Sequence, residues 1–313
     1  MDAKLIVVDW GTTSFRAWLV DGQGEVMDEI PAGTGMRDMP RDAFATYCGD
    51  QLARWRSDAN PIPVYMAGMV GAPQGWQTAP QPILPVSLAD LASQVVAADG
   101  LHNAWIIPGT RVQRSNTEID VMRGEEVQIF GALDLLGLTE ALLCLPGTHS
   151  KWATVTDGAL THFTTSMTGE VYEALLGHTI LAKTADRAAP FHEKAFRMGL
   201  EQSHGEGGLL HLIFSARCRT LYGDLKPELT PSYLSGLLIG REVRAMRAHY
   251  PQADELVVVA SDALRRPYGI ALAESGFKTT IVATKAASLA GIGAVARNHK
   301  PLESRIVENL SQI

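Results

Sequence analysis

This 313-residue chain carries one unit twice, and that repeat limits its fold more than any other feature. Residues 5–30, LIVVDWGTTSFRAWLVDGQGEVMDEI, lie over residues 141–166, ALLCLPGTHSKWATVTDGALTHFTTS, at an offset of 147 − 11 = 136 positions. In that register Gly11, Thr12, Ser14, Ala17, Asp21 and Gly22 meet Gly147, Thr148, Ser150, Ala153, Asp157 and Gly158. Ordinary composition gives roughly two identities by chance in such a window. Gly33 meets Gly169 in the same register. Each copy reads as an apolar strand, a Gly-Thr turn, a second strand, an Asp-Gly hairpin turn and a third strand. Two such units, one near the start of each half, predict two similar domains facing each other.

The remaining pattern agrees with an α/β plan in both halves. Pro63 to Val70 is strand-like and ends at Gly71, and Ala104 to Ile107 is a second short strand. From Gly124, Val127, Phe130, Leu133 and Leu136 recur at helical spacing until Gly137 closes the helix. Val171 to Leu176 starts another helix. A long one follows Thr230-Pro231, with threonine as cap and proline in the first turn. Then come a strand at 255–260, a helix at about 266–274, a strand at 279–283 and a final helix from Ala286. The length exceeds the ~250–300 residues that one core organises, so the domains are expected at 1–138 and 139–313.

Net charge is −7, with Lys and Arg scattered, so a nucleic-acid or anionic-membrane surface is not expected. No run approaches the ~18 apolar residues of a membrane span, and Leu5 to Val8 is too short for a signal core. Cys48, Cys144 and Cys218 are far apart, which fits a reducing, cytoplasmic setting. Assembly as a homodimer stays open.

Asp9-Trp10-Gly11-Thr12-Thr13 ends the first strand. A carboxylate followed by Gly-Thr-Thr offers a metal anchor, close-approaching backbone amides and hydroxyl donors; the bland alternative is a hairpin turn that Asp9 caps. Pro146-Gly147-Thr148-His149 repeats the turn, with Leu145 in place of Asp9. Two such turns can hold one triphosphate, and only the first brings a metal carboxylate. Glu125 and Glu126 open the helix after Arg123-Gly124. Acidic residues there complement the helix dipole, or Glu125 deprotonates an attacking hydroxyl. Arg16 and Arg123 could pair with an anionic substrate or form ordinary salt bridges. Arg241, Arg244 and Arg247 fall at helical spacing and read as a solvated face. Gly291-x-Gly293-x-x-Ala296 lies in a helical pattern, so it is not a dinucleotide fingerprint. No P-loop signature occurs.

In this order, VDWGTTSFRAWL, MAGMVGAPQGW, WIIPG, VMRGEE, PGTHSKW, MTGE, LSGLLIG and SLAGI resemble the 2-keto-3-deoxygalactonate kinase (2-dehydro-3-deoxygalactonokinase) family nearly end to end. That family lies in the actin/Hsp70/sugar-kinase superfamily. The resemblance implies two ribonuclease-H-like, actin-like ATPase domains with a cleft between them. It further implies ATP, Mg²⁺ and phosphoryl transfer to the C6 hydroxyl of the sugar acid. By the same resemblance Asp9 holds magnesium, Gly11, Thr12, Thr13, Gly147, Thr148 and His149 line the phosphates, and Ser261 and Asp262 mark the adenosine element. Glu125 is the implied base, with Glu126 and Asp120 as alternatives, and Arg16, Gly33, Gly71, Trp76 and Arg123 are placed with the substrate. A kinase of another sugar or sugar acid, or a non-catalytic nucleotide-binding sensor or actin-like protein, are the competing expectations.

Overall fold

The computed structural model describes residues 3–115 and 118–299. Its contacts gather the chain into two compact units: one from the residues up to Ala141, Thr154–Phe163 and the segment from Thr284, the other from Leu142–Ala153 and Thr164–Ala283.

The first unit opens with β1 (Ala3–Trp10), β2 (Ser14–Asp21) and β3 (Val26–Thr34), followed by α1 (Phe44–Leu52) and β4 (Val64–Ala67). Next come β5 (Val86–Ser87), α2 (Leu88–Ser93), β6 (Val96–Ala97), β7 (Ala104–Ile106), β8 (Thr110–Gln113), β9 (Ile119–Met122) and α3 (Glu125–Leu136). The second copy of the repeat is β10 (Ala141–Leu145), β11 (Ser150–Thr156) and β12 (Ala159–Ser166). It leads into α4 (Thr168–His178), α5 (Glu193–Gln202), α6 (Gly208–Tyr222), α7 (Thr230–His249), β13 (Glu255–Ala260), α8 (Asp262–Glu274), β14 (Lys278–Ala283) and α9 (Thr284–Asn298).

One sheet runs β3-β2-β1-β4-β7-β6 and the other β14-β13-β10-β11-β12-β5. Apart from the two short edge strands, β6 and β5, the orders match when β1 is laid on β10. The first three strands of each copy form a meander in the order expected from the repeat. β4 runs parallel to β1 and β7 parallel to β4, as β13 does to β10 and β14 to β13. This duplicated arrangement is the ribonuclease-H-like fold. It follows from alternation along β1: Ile6, Val8 and Trp10 pack into one layer with Phe44 and Trp76, while Val7 packs into the opposite layer with Val127 and Ile292. A strand buried on both faces reads as the continuous apolar run seen in the sequence.

Several expectations need correction. The register of 136 holds through the first turn but not across the hairpin. The second copy turns tightly, with Asp157 and Gly158 both at positive φ. In the first, the Asp21 carboxylate accepts from the Gln23 and Glu25 amides and the loop runs on to Gly24. The extra residues shift the third strand, so Gly35, not Gly33, occupies the place of Gly169. A methyl on Gly35 would meet the Thr13 carbonyl carbon at 2.3 Å, and one on Gly169 the Gly147 oxygen at 2.5 Å.

The last helix belongs to the first unit rather than to a domain spanning 139–313, of which 300–313 lie outside the described residues. The reason is a close crossing of α3 and α9: methyls on Gly131 and Gly291 would lie 1.9 Å from the Ala287 oxygen and 1.7 Å from the Val127 oxygen. That contact accounts for Gly291 inside its helical pattern. Thr230 does not cap α7; it is buried and its hydroxyl donates to the Lys226 carbonyl. Arg241 donates to the Ser203 carbonyl, and Arg247 lies 3.5 Å over the Phe277 ring, so only Arg244 of that series is exposed. Among the described residues no helix is long and apolar enough to cross a membrane.

Candidate active site

In open α/β sheets, ligands bind at the carboxyl ends of the parallel strands. In the first unit these ends carry Asp9-Trp10, Ala67-Gly68 and Ile106. Trp10 anchors its end: the ring is fully buried, edge-on to Phe15 at 4.9 Å, and its Nε1 donates to the Thr34 carbonyl. The following turn, Gly11 to Thr13, is braced from behind. Gly11 donates to the Ser14 carbonyl, while the carbonyls of Gly11 and Thr12 accept from the Met36 and Arg37 amides. Asp9 sits across the β1–β2 ladder from Arg16, whose Nη1 lies 3.5 Å from its Oδ2. Burial pushes the Asp9 carboxyl above its ordinary range, and the Arg16 charge opposes this. Arg16 is thus engaged with Asp9.

Gly68 and Gly124 join this strand end to the start of α3. Gly68 has φ 101°, and a methyl there would meet the Trp10 oxygen at 2.8 Å and the Asp9 Oδ1 at 3.6 Å. Gly124, at φ 107°, is packed so that a methyl would lie 3.2 Å from the Gly68 Cα. Both conformations and both approaches exclude a side chain. The neighbouring glutamates have separate surroundings. Glu125 is half-buried, and its Oε2 accepts from the Arg123 amide at 3.1 Å. Glu126 is fully buried, with both oxygens on the Gly124 amide at 2.8 and 2.9 Å. Burial, then the charge of Glu125, pushes its carboxyl up to about 8.

An unfolded chain ionises such a carboxyl near its ordinary value of 4.5, whereas the folded chain keeps the proton to about 8. The unfolded state therefore loses its proton first. The stability this group contributes is whole below 4.5 and drains away as pH rises through the window. Glu126→Gln should remove that slope. Unfolding titrations at several pH values between 5 and 8 should show wild type weakening relative to the variant as pH rises. Parallel curves would place the carboxyl elsewhere on the pH scale.

Arg123 and Gly71 are brought together: a methyl on Gly71 would meet the Arg123 Nη1 at 2.9 Å. Nη2 donates to the Ala79 carbonyl, while Nη1 is buried and has no hydrogen-bond partner among the described residues. Trp76 lies in the core, and Gly33 is half-buried on β3. Trp76 is 8% exposed, stacks on Phe44 and donates its Nε1 to the Asp99 carbonyl. Gly33 packs on Phe15 and Tyr47. Asp120 lies on β9 and accepts from the Val121 amide.

In the second unit the corresponding strand ends carry Pro146-Gly147, Ala260-Ser261 and Ala283. Thr148 and His149 are exposed, and the next residue, Ser150, is fully buried. The His149 Nε2 lies 2.5 Å from the Glu170 Oε2, and the Glu170 amide donates to the Thr148 carbonyl. Beneath the turn lies Glu242 of α7, a buried carboxylate that the sequence reading passed over. Its Oε1 accepts from Ser150 Oγ at 2.6 Å and Trp152 Nε1 at 2.8 Å; its Oε2 accepts from Tyr268 OH at 2.8 Å and from Thr168 Oγ1. The available signal was its place on the apolar stripe Leu238, Ile239, Val243 and Met246. Ser261 precedes the first turn of α8, and Asp262 is exposed and paired with Arg265 at 3.2 Å.

Comparison with known proteins gives a consistent result. A family model described as 2-keto-3-deoxy-galactonokinase matches residues 9–295. The Rhizobium meliloti (strain 1021) protein named "Probable 2-dehydro-3-deoxygalactonokinase DgoK1" is 35% identical over 94% of this chain and 97% of its own. The Escherichia coli (strain K12) 2-dehydro-3-deoxygalactonokinase is 34% identical over 95% of this chain and 98% of its own. A crystal structure from Sinorhizobium meliloti, assigned to the same kinase, superposes with a TM-score of 0.87 at 34% identity. It covers 95% of this chain and 100% of that one.

Proposed function

The chain belongs to the 2-keto-3-deoxy-galactonokinase family, and from that premise we propose that it transfers the γ-phosphoryl group of ATP to the C6 hydroxyl of 2-keto-3-deoxygalactonate. The observation that carries the reading is the convergence around Gly68: the Asp9 strand end and the amino end of α3 with Glu125 both close on that one glycine. Phosphoryl transfer needs little covalent chemistry from the protein. It needs positioned phosphates, neutralised charge and an oriented hydroxyl.

The Gly11–Thr13 and Gly147–His149 turns supply amides and hydroxyls to the phosphates. The amino end of α8 at Ser261 and Asp262 serves the nucleoside. Glu125 takes the proton of the attacking hydroxyl. Burial and its hold on the Gly124 amide speak against that role for Glu126. The orphaned Nη1 of Arg123 is the donor for the sugar-acid carboxylate, since a buried guanidinium N–H without a partner is costly until an anion meets it. Arg16, paired with Asp9, orients that carboxylate. Trp76 and Gly33 act behind the site, as packing.

Magnesium fits the donors present. Asp9 is a desolvated carboxylate whose charge burial disfavours, and among the described residues no three His, Cys, Asp or Glu side chains gather into a cage. An ion that keeps its waters and takes one or two carboxylates plus phosphate oxygens suits such a site. When bound, it would neutralise charge on the transferred group, and Asp9 would hold it.

A panel of sugars and sugar acids tests the reading, with ADP release as the rate and phosphorus NMR for the position. Rapid turnover of 2-keto-3-deoxygalactonate to a 6-phosphate is expected. Preference for a neutral hexose would make the chain a different sugar kinase. Nucleotide binding with no turnover on any acceptor would make it a sensor.

A further inference from the structure

Helix α6 lies in the stretch between residues 185 and 228, which the kinase chemistry leaves without a task. Its inner side is ordinary: Leu212 and Ala216 are buried, Ser215 shares a hydrogen bond with Tyr233, and Arg219 lies over the Tyr233 ring and pairs with Asp224. The outer side is not. Leu210 is 86% exposed, Phe214 56%, Leu221 50% and Tyr222 92%, and His211 and Cys218 are exposed on the same face. These positions recur at three, four and seven residues, so they form one continuous stripe. A solvent-facing helix normally shows the reverse polarity. Apolar patches on the order of a few hundred Å² mark interaction sites on soluble chains.

The stripe also maps onto itself when the helix is read backwards. Position 210 exchanges with 222, 211 with 221 and 214 with 218, all about position 216. Just outside the helix the same centre exchanges Glu206 with Lys226, both exposed and of opposite charge. An isologous two-fold contact demands this property, because residue i must meet j while j meets i. Antiparallel pairing also sets the positive end of each helix dipole against the negative end of the other. A foreign partner would impose no such symmetry on the stripe.

We propose that the exposed face of α6 binds a second copy of this chain, α6 against α6, antiparallel and centred on position 216. Leu210 then packs on the partner's Tyr222, Phe214 on the partner's Cys218, and Glu206 lies opposite the partner's Lys226. A contact confined to one helix per protomer falls at the small end of specific interfaces, and the dimer is expected to dissociate at micromolar concentrations.

Sedimentation velocity of the full chain across micromolar concentrations should show a monomer–dimer equilibrium. Leu210→Glu and Tyr222→Glu sit at positions too exposed to affect folding. Each should weaken the dimer at least ~10-fold, with phosphoryl transfer by the monomer unchanged. Phe214→Cys tests the register: mild oxidation should give a covalent dimer through Cys218, and adding Cys218→Ser should abolish it. A monomer at every concentration, or a dimer unmoved by the two glutamates, overturns the proposal. A crosslink that survives Cys218→Ser, or none at all with Phe214→Cys, overturns the centring on 216.

Discussion

Glu125→Gln should lower kcat by ~10²–10³-fold, leave the Kd for ATP within about twofold, and shift the unfolding midpoint little. The substitution is nearly isosteric. Its amide oxygen can still accept from the Arg123 amide, which Glu125 Oε2 now does at 3.1 Å, so the entry to α3 keeps its geometry. What disappears is the capacity to take a proton. General-base assistance contributes typically ~10²–10⁴-fold, and the loss falls on kcat because binding does not need the base. The companion change Glu126→Gln separates chemistry from structure. That side chain is fully buried against Gly124, so its replacement should alter the pH dependence of stability and leave turnover nearly intact. The acid limb of the kcat profile should vanish in the Glu125 variant alone. Near-normal turnover without Glu125 would transfer the role to Asp120 or Glu126 and detach the mechanism from the Gly68 junction.

The first strand and its turn were legible because everything they need is local. An apolar run buried on both faces, then Asp9 and Gly11, writes strand and turn in consecutive letters, and the repeat writes them twice. That each sheet contains the same three-stranded meander followed from the repeat, whereas the places of the parallel strands beside it did not. Register beyond the hairpin was not legible, since identities at 136 give no hint that the first loop runs on to Gly24 and moves Gly35 into the place of Gly169. The final helix was assigned by sequence order, whereas its partner is set by two glycines 160 positions apart, Gly131 and Gly291, that let helix backbones touch. Trp76 was placed with the substrate, and its ring is packed on Phe44 with its Nε1 on the Asp99 carbonyl, contacts that depend on the tertiary fold and leave no local mark in the sequence. Glu242 was hidden by its arginine neighbours. Three arginines at helical spacing read as a solvated face, and nothing in that pattern singled out the carboxylate one residue past Arg241.

The second large effect concerns that carboxylate. Glu242→Ala should cost about 4 kcal/mol of unfolding free energy, a sizeable part of the ~5–15 kcal/mol that holds a domain. Four donors converge on Glu242, and three of them, on Ser150, Trp152 and Tyr268, belong to side chains at most 2% exposed. Truncation leaves these groups buried without an acceptor, at ~1–3 kcal/mol each less whatever entering water restores. Glu242→Gln keeps one acceptor and should lose only about 1–2 kcal/mol, because the hydroxyls can rotate to accept from its amide while Trp152 cannot. The two variants should also differ in catalysis. Ser150 directly follows the Gly147–His149 turn, and Thr168 immediately precedes Gly169, whose Cα rests against that turn. Glu242 thus grips both sides of the second Gly-Thr turn. If the turn binds phosphate, folded Glu242→Gln should raise the KM for ATP about 5–10-fold while the KM for the sugar acid stays put. A general loosening of the protein would raise both together. Denaturant titration reads the first quantity and initial-rate kinetics the second. An alanine variant that loses under ~1 kcal/mol would show that the four donors find water as readily as they find Glu242.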